Sequence, residues 1–163
     1  KSGMRHAQQK KIEKEIFMAR SKYNVDDNIS KRTYDGIVFD SVMEMKYYRD
    51  VLCPLLESGE VIEYELQKSY ELQPGFMRNG KKVLPIIYVA DFWVKHQDGH
   101  EVVIDVKGCP DAKANLKRKM FWYRYPDIDY RWISYCKQDG GWIDYQILKK
   151  NRAERKRRKH EKE

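Results

Sequence analysis

The sequence predicts an α/β fold, with a mixed β-sheet flanked by helices. Three observations predict it. Along the chain the patterns run helix, helix, several strands, helix, strands and a basic tail. Two near-continuous apolar runs, Ile86 to Val94 and Val102 to Val106, have the character of strands buried on both faces. Helical periodicity over 41–58 and 111–125 brackets them. At 163 residues the chain is long enough for one domain with a substantial core.

Taken in order, residues 5–21 read as a helix with a thin apolar stripe of Ile12, Ile16, Phe17 and Ala19. Such a stripe on a basic helix suits docking on a partner subunit or on the core. Lys1, Ser2 and Gly3 read as a leftover ahead of Met4, the expected natural start. Residues 22–36 are polar and loop-like, and Ile37 to Phe39 is a short extended piece. A helix is expected from Asp40 or Ser41 to Ser58, with Gly59 as its stop. Its core face would be Val42, Met45, Tyr48, Leu52, Leu55 and Leu56, with a kink at Pro54. Glu44 has a ready local role, because Ser41-x-x-Glu44 is a capping box.

Val61 to Leu72 reads as one extended stretch, broken at Gln73-Pro74-Gly75 and followed by an Asn79-Gly80 turn. Asp111 to Tyr125 is expected to be a helix ended by Pro126. Its core residues would be Leu116, Met120 and Tyr123, with Lys113, Lys117, Arg118 and Lys119 on its wet sides. Tyr130 to Tyr135 and Trp142 to Leu148 read as strands around Gly140-Gly141. Residues 121–126, FWYRYP, interleave rings with Arg124, a composition able to stack on unpaired bases. Core packing is the favoured reading for Trp122 or Tyr123, and Arg124 stays open.

Charge is unevenly distributed. Residues 1–32 hold nine Lys/Arg against four Asp/Glu, and residues 149–163 hold nine against three. Residues 33–148 hold fifteen against eighteen. A weakly acidic core, 33–148, therefore lies between a basic arm, 1–32, and a basic tail, 149–163. Arms of this kind commonly grip nucleic acid phosphates, although they also serve simple solubility. No apolar run approaches the roughly 20 residues of a membrane span. Cys53, Cys109 and Cys136 form neither a zinc pattern nor an obvious disulfide set. That fits packing roles in a reducing cytoplasm.

The segment with most chemical content is Tyr88 to Gly108, YVADFWVKHQDGHEVVIDVKG. It reads as two strands around Gln97-Asp98-Gly99, with Gly99 in the left-handed position of a three-residue loop. That loop would set His96 opposite His100 and Asp91 opposite Asp105, with β-carbons about 5 Å apart. Side chains alternate in a strand, so Asp105 and Lys107 share a face. Two carboxylates that close repel unless a cation or proton lies between them. A two-residue loop on Asp98-Gly99 would instead pair Asp91 with Val106 and split the acids across faces. With the first register, acid, acid and lysine can hold a divalent metal against a phosphodiester. An ordinary hairpin with a polar wet face is the bland alternative, and His96 and His100 are expected to be merely exposed.

Glu44, Asp91 and Asp105-x-Lys107 together resemble the PD-(D/E)xK nuclease core. Ala90 stands where that core usually has Pro, and Asp105 where Glu is commoner. From Lys22 to Ile133 the chain also resembles a family of small phage-encoded proteins of unassigned function. The shared text includes DGIVFDSVMEMKYYRD, LESGEVIEYELQ, GKKVLPIIYVADF and VIDVKG. Tyr88 to Ser134 is similar to phage endonuclease-I-type Holliday-junction resolvases. There too a YxxDF strand leads to an acid-x-Lys-Gly strand, a basic helix and a P-x-(I/L)-D-(I/Y)-R strand.

The resemblance implies a restriction-endonuclease-like core with basic N- and C-terminal helical arms. It implies a Mg²⁺-dependent DNA endonuclease, with Mn²⁺ able to substitute, acting on branched DNA as a homodimer. Asp91, Asp105 and Glu44 would be the metal ligands, and Lys107 would orient or deprotonate the attacking water. Phosphates would be held by Lys113, Lys117, Arg118, Lys119, Arg124, Arg155, Arg157 and Arg158. The N-terminal helix would make the dimer contact. Two rivals are a nicking or end-processing nuclease of the same fold and a non-catalytic DNA-binding protein on a nuclease scaffold. An RNA-binding protein is a third.

Overall fold

The computed structural model describes residues 28–161. The helix expected over 5–21, and its dimer contact, lie outside the described residues. The chain forms two compact units, Lys1–Met45 and Lys46–Glu163.

In the first unit a 3-10 turn, Ile29–Arg32, opens with Asn28 accepting from the Ser30 N–H at 3.1 Å. A small antiparallel hairpin follows, β1 (Thr33–Tyr34) and β2 (Ile37–Val38). Its two-residue loop needs positive φ at both positions, and Asp35 (52°) and Gly36 (75°) supply it. The segment expected to be plain loop therefore ends in a hairpin. Arg32 is buried and its guanidinium donates to the Phe39 carbonyl, while the Phe39 N–H donates to the Arg32 carbonyl at 3.0 Å.

Helix α1 (Val42–Tyr47) starts where expected, one residue after Ser41. It continues through a π-helical turn, Tyr48–Leu52, into α2 (Cys53–Glu57). Pro54 explains the wide turn. It has no N–H to offer the Asp50 carbonyl, and its ring would press on that group in a regular helix. The Cys53 N–H reaches back five residues to the Tyr48 carbonyl instead. Proline is thus absorbed without breaking the helix, and Gly59 in the left-handed region ends it. The wide turn also buries two adjacent rings, Tyr47 and Tyr48, which a regular 3.6-residue stripe would not.

The remaining strands, in chain order, are β3 (Val61–Leu66), β4 (Ser69–Gln73), β5 (Phe76–Arg78), β6 (Lys81–Val83), β7 (Ile86–Val89), β8 (Phe92–His96), β9 (Glu101–Val106), β10 (Asp129–Cys136) and β11 (Gly141–Asp144). Five of them make the central mixed sheet in the order β11-β10-β9-β8-β3. Among the described strands only β9 and β10 run parallel, joined by the crossover helix α3 (Ala112–Arg124). β4 with β7, and β5 with β6, form two small antiparallel ribbons.

Two apparently continuous extended runs are each split. Val61–Leu72 divides at Gln67, whose φ is +57°, and Ile86–Val94 divides at Ala90-Asp91. The breaks face one another. Gln67 N–H donates to the Asp91 carbonyl at 3.2 Å, and Ala90 N–H to the Lys68 carbonyl at 2.9 Å. The result is a shared corner at which both chains leave the central sheet for the β4–β7 ribbon.

Helix α3 has the expected ends. Asp111 caps it by accepting from the Ala114 N–H at 2.7 Å, and it stops before Pro126. Its buried face differs from the expected one. Leu116 is 59% exposed and Tyr123 90% exposed, while Phe121 is fully buried and Arg118 is 7% exposed. Phe121 meets Tyr130, Tyr70, Tyr125 and Tyr88 at ring-centroid distances of 4.4, 5.0, 5.1 and 5.5 Å. An Arg within the inward stripe Ala114, Arg118, Phe121, Tyr125 disguises it in the sequence. The guanidinium is buried between the indoles of Trp122 (4.4 Å) and Trp132 (4.3 Å).

At the C-terminal end, the strand expected over Trp142–Leu148 stops at Asp144. That side chain accepts from the Gln146 N–H at 2.7 Å and begins helix α4 (Tyr145–His160). The basic tail is therefore helical as far as the described residues go. Among them no helix is long and apolar enough to cross a membrane.

The altered facing of α3 has a direct test in equilibrium denaturation. Phe121→Ala should lower stability by about 3–5 kcal/mol, and Leu116→Ala by no more than about 0.5 kcal/mol. Equal losses would sink the assignment. A second test concerns Asp129, which His100 Nε2 approaches at 3.0 Å and Arg131 clasps through Nε and Nη2. Burial works to raise its pKa, but the hydrogen bonds from Arg131 and His100 outweigh that and hold it below the usual range. A depressed folded pKa gives stability that is present above the unfolded value and lost as pH falls through the folded one. Asp129→Asn should thus lower stability near pH 7 by up to about 1 kcal/mol. That gap should close below about pH 4. A pH-independent gap would count against the ion pair.

Candidate functional site

The three-residue register is the one that forms. β8 and β9 pair Phe92 with Ile104, Trp93 with Val103, Val94 with Val102 and Lys95 with Glu101. The His96 N–H donates to the His100 carbonyl at 2.8 Å, and Gly99 takes a φ of +87°. Continued one pair the other way, the same register sets Asp91 opposite Asp105. Asp91 itself lies at the corner between β7 and β8 rather than within a strand. Its Oδ2 accepts from the Val106 N–H at 2.7 Å, which ties the corner to the end of β9.

Asp105 is the most unusual side chain of the sheet, a carboxylate 1% exposed. It lies on the face of β9 that also carries Val103. Across the parallel pairing, Trp132 is its partner and Tyr130 is the partner of Val103. One carboxylate oxygen, Oδ2, is held by Lys107 Nζ at 2.8 Å and lies 3.2 Å from the Tyr130 hydroxyl. The other, Oδ1, is buried and makes no hydrogen bond. A buried carboxylate oxygen without a partner is costly, and a bound cation removes that cost.

Lys107 is positioned by its backbone. Its N–H donates to the Ile133 carbonyl at 2.8 Å, and its own carbonyl accepts from the Ser134 hydroxyl. The Tyr130 hydroxyl also lies 2.8 Å from that of Tyr88 and accepts from Trp132 Nε1 at 2.5 Å. Tyr130 has one hydroxyl proton, so it donates to either Tyr88 or Asp105 at a given moment. Burial first, and then the charge of Asp105, push both phenols well above their ordinary pKa. They stay neutral donors beside the acid. This layer of Tyr88, Tyr130 and Trp132 escaped the sequence reading. Its alternation along β10 was visible, but its pairing with β9 was not.

Glu44 belongs to the first compact unit. It is buried, its N–H donates to Ser41 Oγ at 3.1 Å, and its Oε1 accepts from that hydroxyl at 2.8 Å. The described contacts are those of a helix cap. Among the described residues no group of three or more His, Cys, Asp or Glu side chains could hold a metal ion. The acids of this sheet site are Asp91 and Asp105, a donor set that fits an oxygen-preferring cation keeping several of its own waters.

The expected phosphate-gripping cations divide. Lys113, Lys119, Arg124, Arg157 and Arg158 are exposed. Arg118 is not a surface cation, since it is enclosed between two indoles. Lys117 is half-buried, with Nζ donating to the Ile87 carbonyl at 2.6 Å. Burial first, then the charges of Lys113 and Lys107, lower its pKa. Arg155 is engaged with both Asp139 oxygens at 2.7 and 2.9 Å, fastening α4 to the β10–β11 connection. The two histidines face each other as counted, with ring centroids 6.1 Å apart. His100 is not merely exposed, because it pairs with Asp129.

Residues 20–140 match a family described as "Protein of unknown function (DUF1064)". The chain belongs to that family. The matched span holds Glu44, the Asp91–Lys107 site and all of α3, and ends before α4. No curated protein matches the chain. For this DUF1064 chain the acid pair has a test independent of activity. Thermal unfolding should shift upward with Mg²⁺, by about 2.7 kcal/mol when the ion stands 100-fold above its dissociation constant. In Asp105→Asn the Mg²⁺ response should disappear. An equal response in both proteins would remove Asp105 as a ligand.

Proposed function

We propose that this chain is a divalent-metal-dependent DNA endonuclease with a restriction-endonuclease-like core, acting by preference on branched DNA. The observation that carries the proposal is Asp105: a fully buried carboxylate, opposite Asp91, with one oxygen on Lys107 and the other without a hydrogen bond. Acid, acid and lysine at the end of a central strand are the parts that phosphodiester hydrolysis needs.

Asp91 and Asp105 are the proposed holders of Mg²⁺ or Mn²⁺, and Glu44 joins them through the resemblance alone. When bound, the metal would supply Lewis-acid stabilisation of the attacking and leaving oxygens. Lys107 offsets phosphate charge and orients the attacking water through its ammonium group, which is paired with Asp105. Tyr130 donates to Oδ2 of Asp105, which leaves Oδ1 as the oxygen without a hydrogen bond. The exposed cations Lys113, Lys119, Arg124, Arg157 and Arg158 hold backbone phosphates without reading sequence. Paired incisions in a junction call for a two-fold dimer.

The test is cleavage of a four-way junction, a fork and plain duplex, each with Mg²⁺ or EDTA. The junction should be cut fastest, and Asp105→Asn should cut at least about 10²-fold more slowly, within the range of removing a preorganised charged group. If no substrate is cut with Mg²⁺ or Mn²⁺, the enzyme reading fails. The non-catalytic DNA-binding reading then stands if the junction is still bound.

A further inference from the structure

Helix α3 turns outward the residues that a core helix would turn inward. Tyr123 is 90% exposed, Leu116 and Trp122 are also exposed, and Phe121 and Tyr125 take the inward positions instead. Leu116 and Tyr123 are seven residues apart and so share one face, with Lys119 between them. Trp122 is held by its stack on Arg118, which Trp132 closes from the other side. The helix carries Lys113, Lys117, Arg118, Lys119 and Arg124 and no acidic residue. Large exposed rings on a surface are expensive to leave in water without a use.

We propose that this face of α3, centred on Tyr123 and Trp122, is a stacking platform for unpaired bases of single-stranded DNA. The inference rests on the DNA reading above and names the form of DNA that the helix takes. Bases have flat apolar faces that need a ring, and their phosphates need cations, and α3 offers both along one helix. Duplex DNA keeps its base faces stacked inside and has no use for Tyr123. A second copy of the chain is a poorer occupant, since it would bring the exposed cations Lys113, Lys119 and Arg124 against their own kind. The helix is also close to the acid site: Lys117 reaches the β7 backbone, and Phe121 packs on Tyr130, which lies against Asp105. A fork or flap carries unpaired bases beside its branch point, and that is the part of a branched DNA such a platform would receive.

The experiment measures binding of a fluorescein-labelled twelve-residue oligothymidylate and an abasic oligomer of the same length and charge. Both are titrated with the full chain in EDTA, so cleavage plays no part. Wild type should bind the thymidylate at least about tenfold more tightly than the abasic strand. Tyr123→Ala should weaken thymidylate binding by about 5- to 150-fold and leave abasic binding unchanged. Lys119→Gln should weaken both equally and flatten the salt dependence. Tyr123 is so exposed that its truncation leaves the fold intact, which an unchanged melting temperature checks. Equal binding of the two oligomers by wild type, or no effect of Tyr123→Ala, overturns the platform while leaving the cleavage result untouched. A lost cleavage result with Tyr123-dependent base binding would sink the enzyme reading alone. Loss of self-association in Tyr123→Ala, with base binding unmoved, would assign the face to a second copy.

Discussion

The loop Gln97–Gly99 governs the direction of every side chain in the two middle strands. With three residues, and Gly99 in the left-handed region, the register continued by one pair sets Asp91 opposite Asp105, and Val103 and Asp105 share one face. One residue fewer would exchange the faces of β9, putting Val102 and Ile104 beside α3 and Asp105 against the opposite layer. The β8–β9 pairing in turn fixes where β10 is added, because Asp105 and Trp132 are partners in the parallel ladder. A single glycine conformation thus sets the acid pair and the aromatic layer together.

That aromatic layer explains how two charges of opposite sign tolerate burial a short way apart. Arg118 is enclosed by Trp122 and Trp132, and Asp105 by Tyr88, Tyr130 and Trp132. Trp132 serves both. Its ring faces the guanidinium, and its N–H donates to Tyr130, which lies beside the carboxylate. Rings supply a polarisable wall to the cation and neutral donors to the anion, so neither charge faces pure hydrocarbon. The remaining free oxygen of Asp105 is the one place where this enclosure is incomplete, and it is the feature on which the proposed chemistry depends.

The corner at Ala90-Asp91 gives the site its second acid. A residue inside a paired strand has both backbone groups committed to the ladder, and its side chain is confined to one face. At the corner the Asp91 carbonyl answers Gln67, while its side chain turns to the Val106 N–H. The bend therefore brings a carboxylate to the end of β9 without extending β8. Ala90, buried without remaining exposure, fits where two strands diverge and a larger side chain would have to be accommodated.

What the sequence by itself determined was decided within a few residues of chain. The Gly99 loop, the Asn79-Gly80 turn, the start of α3 at Asp111 and the stop before Pro126 are all short-range events, legible as residue types at fixed spacings. The Ser41–Glu44 cap was legible for the same reason. Only the tertiary structure decided which face of α3 is buried, where the two long extended runs bend, and what surrounds Asp105. Arg118 counts as a surface residue until two indoles from different elements enclose it. Trp142 to Leu148 reads as a strand until Asp144 turns its carboxylate onto the first N–H groups of α4. The Tyr130 contact to Asp105 spans 25 residues and passes through a parallel pairing. Local periodicity records the alternation of a strand but not its neighbour, so a partner brought in from across the sheet leaves no mark on the sequence around it.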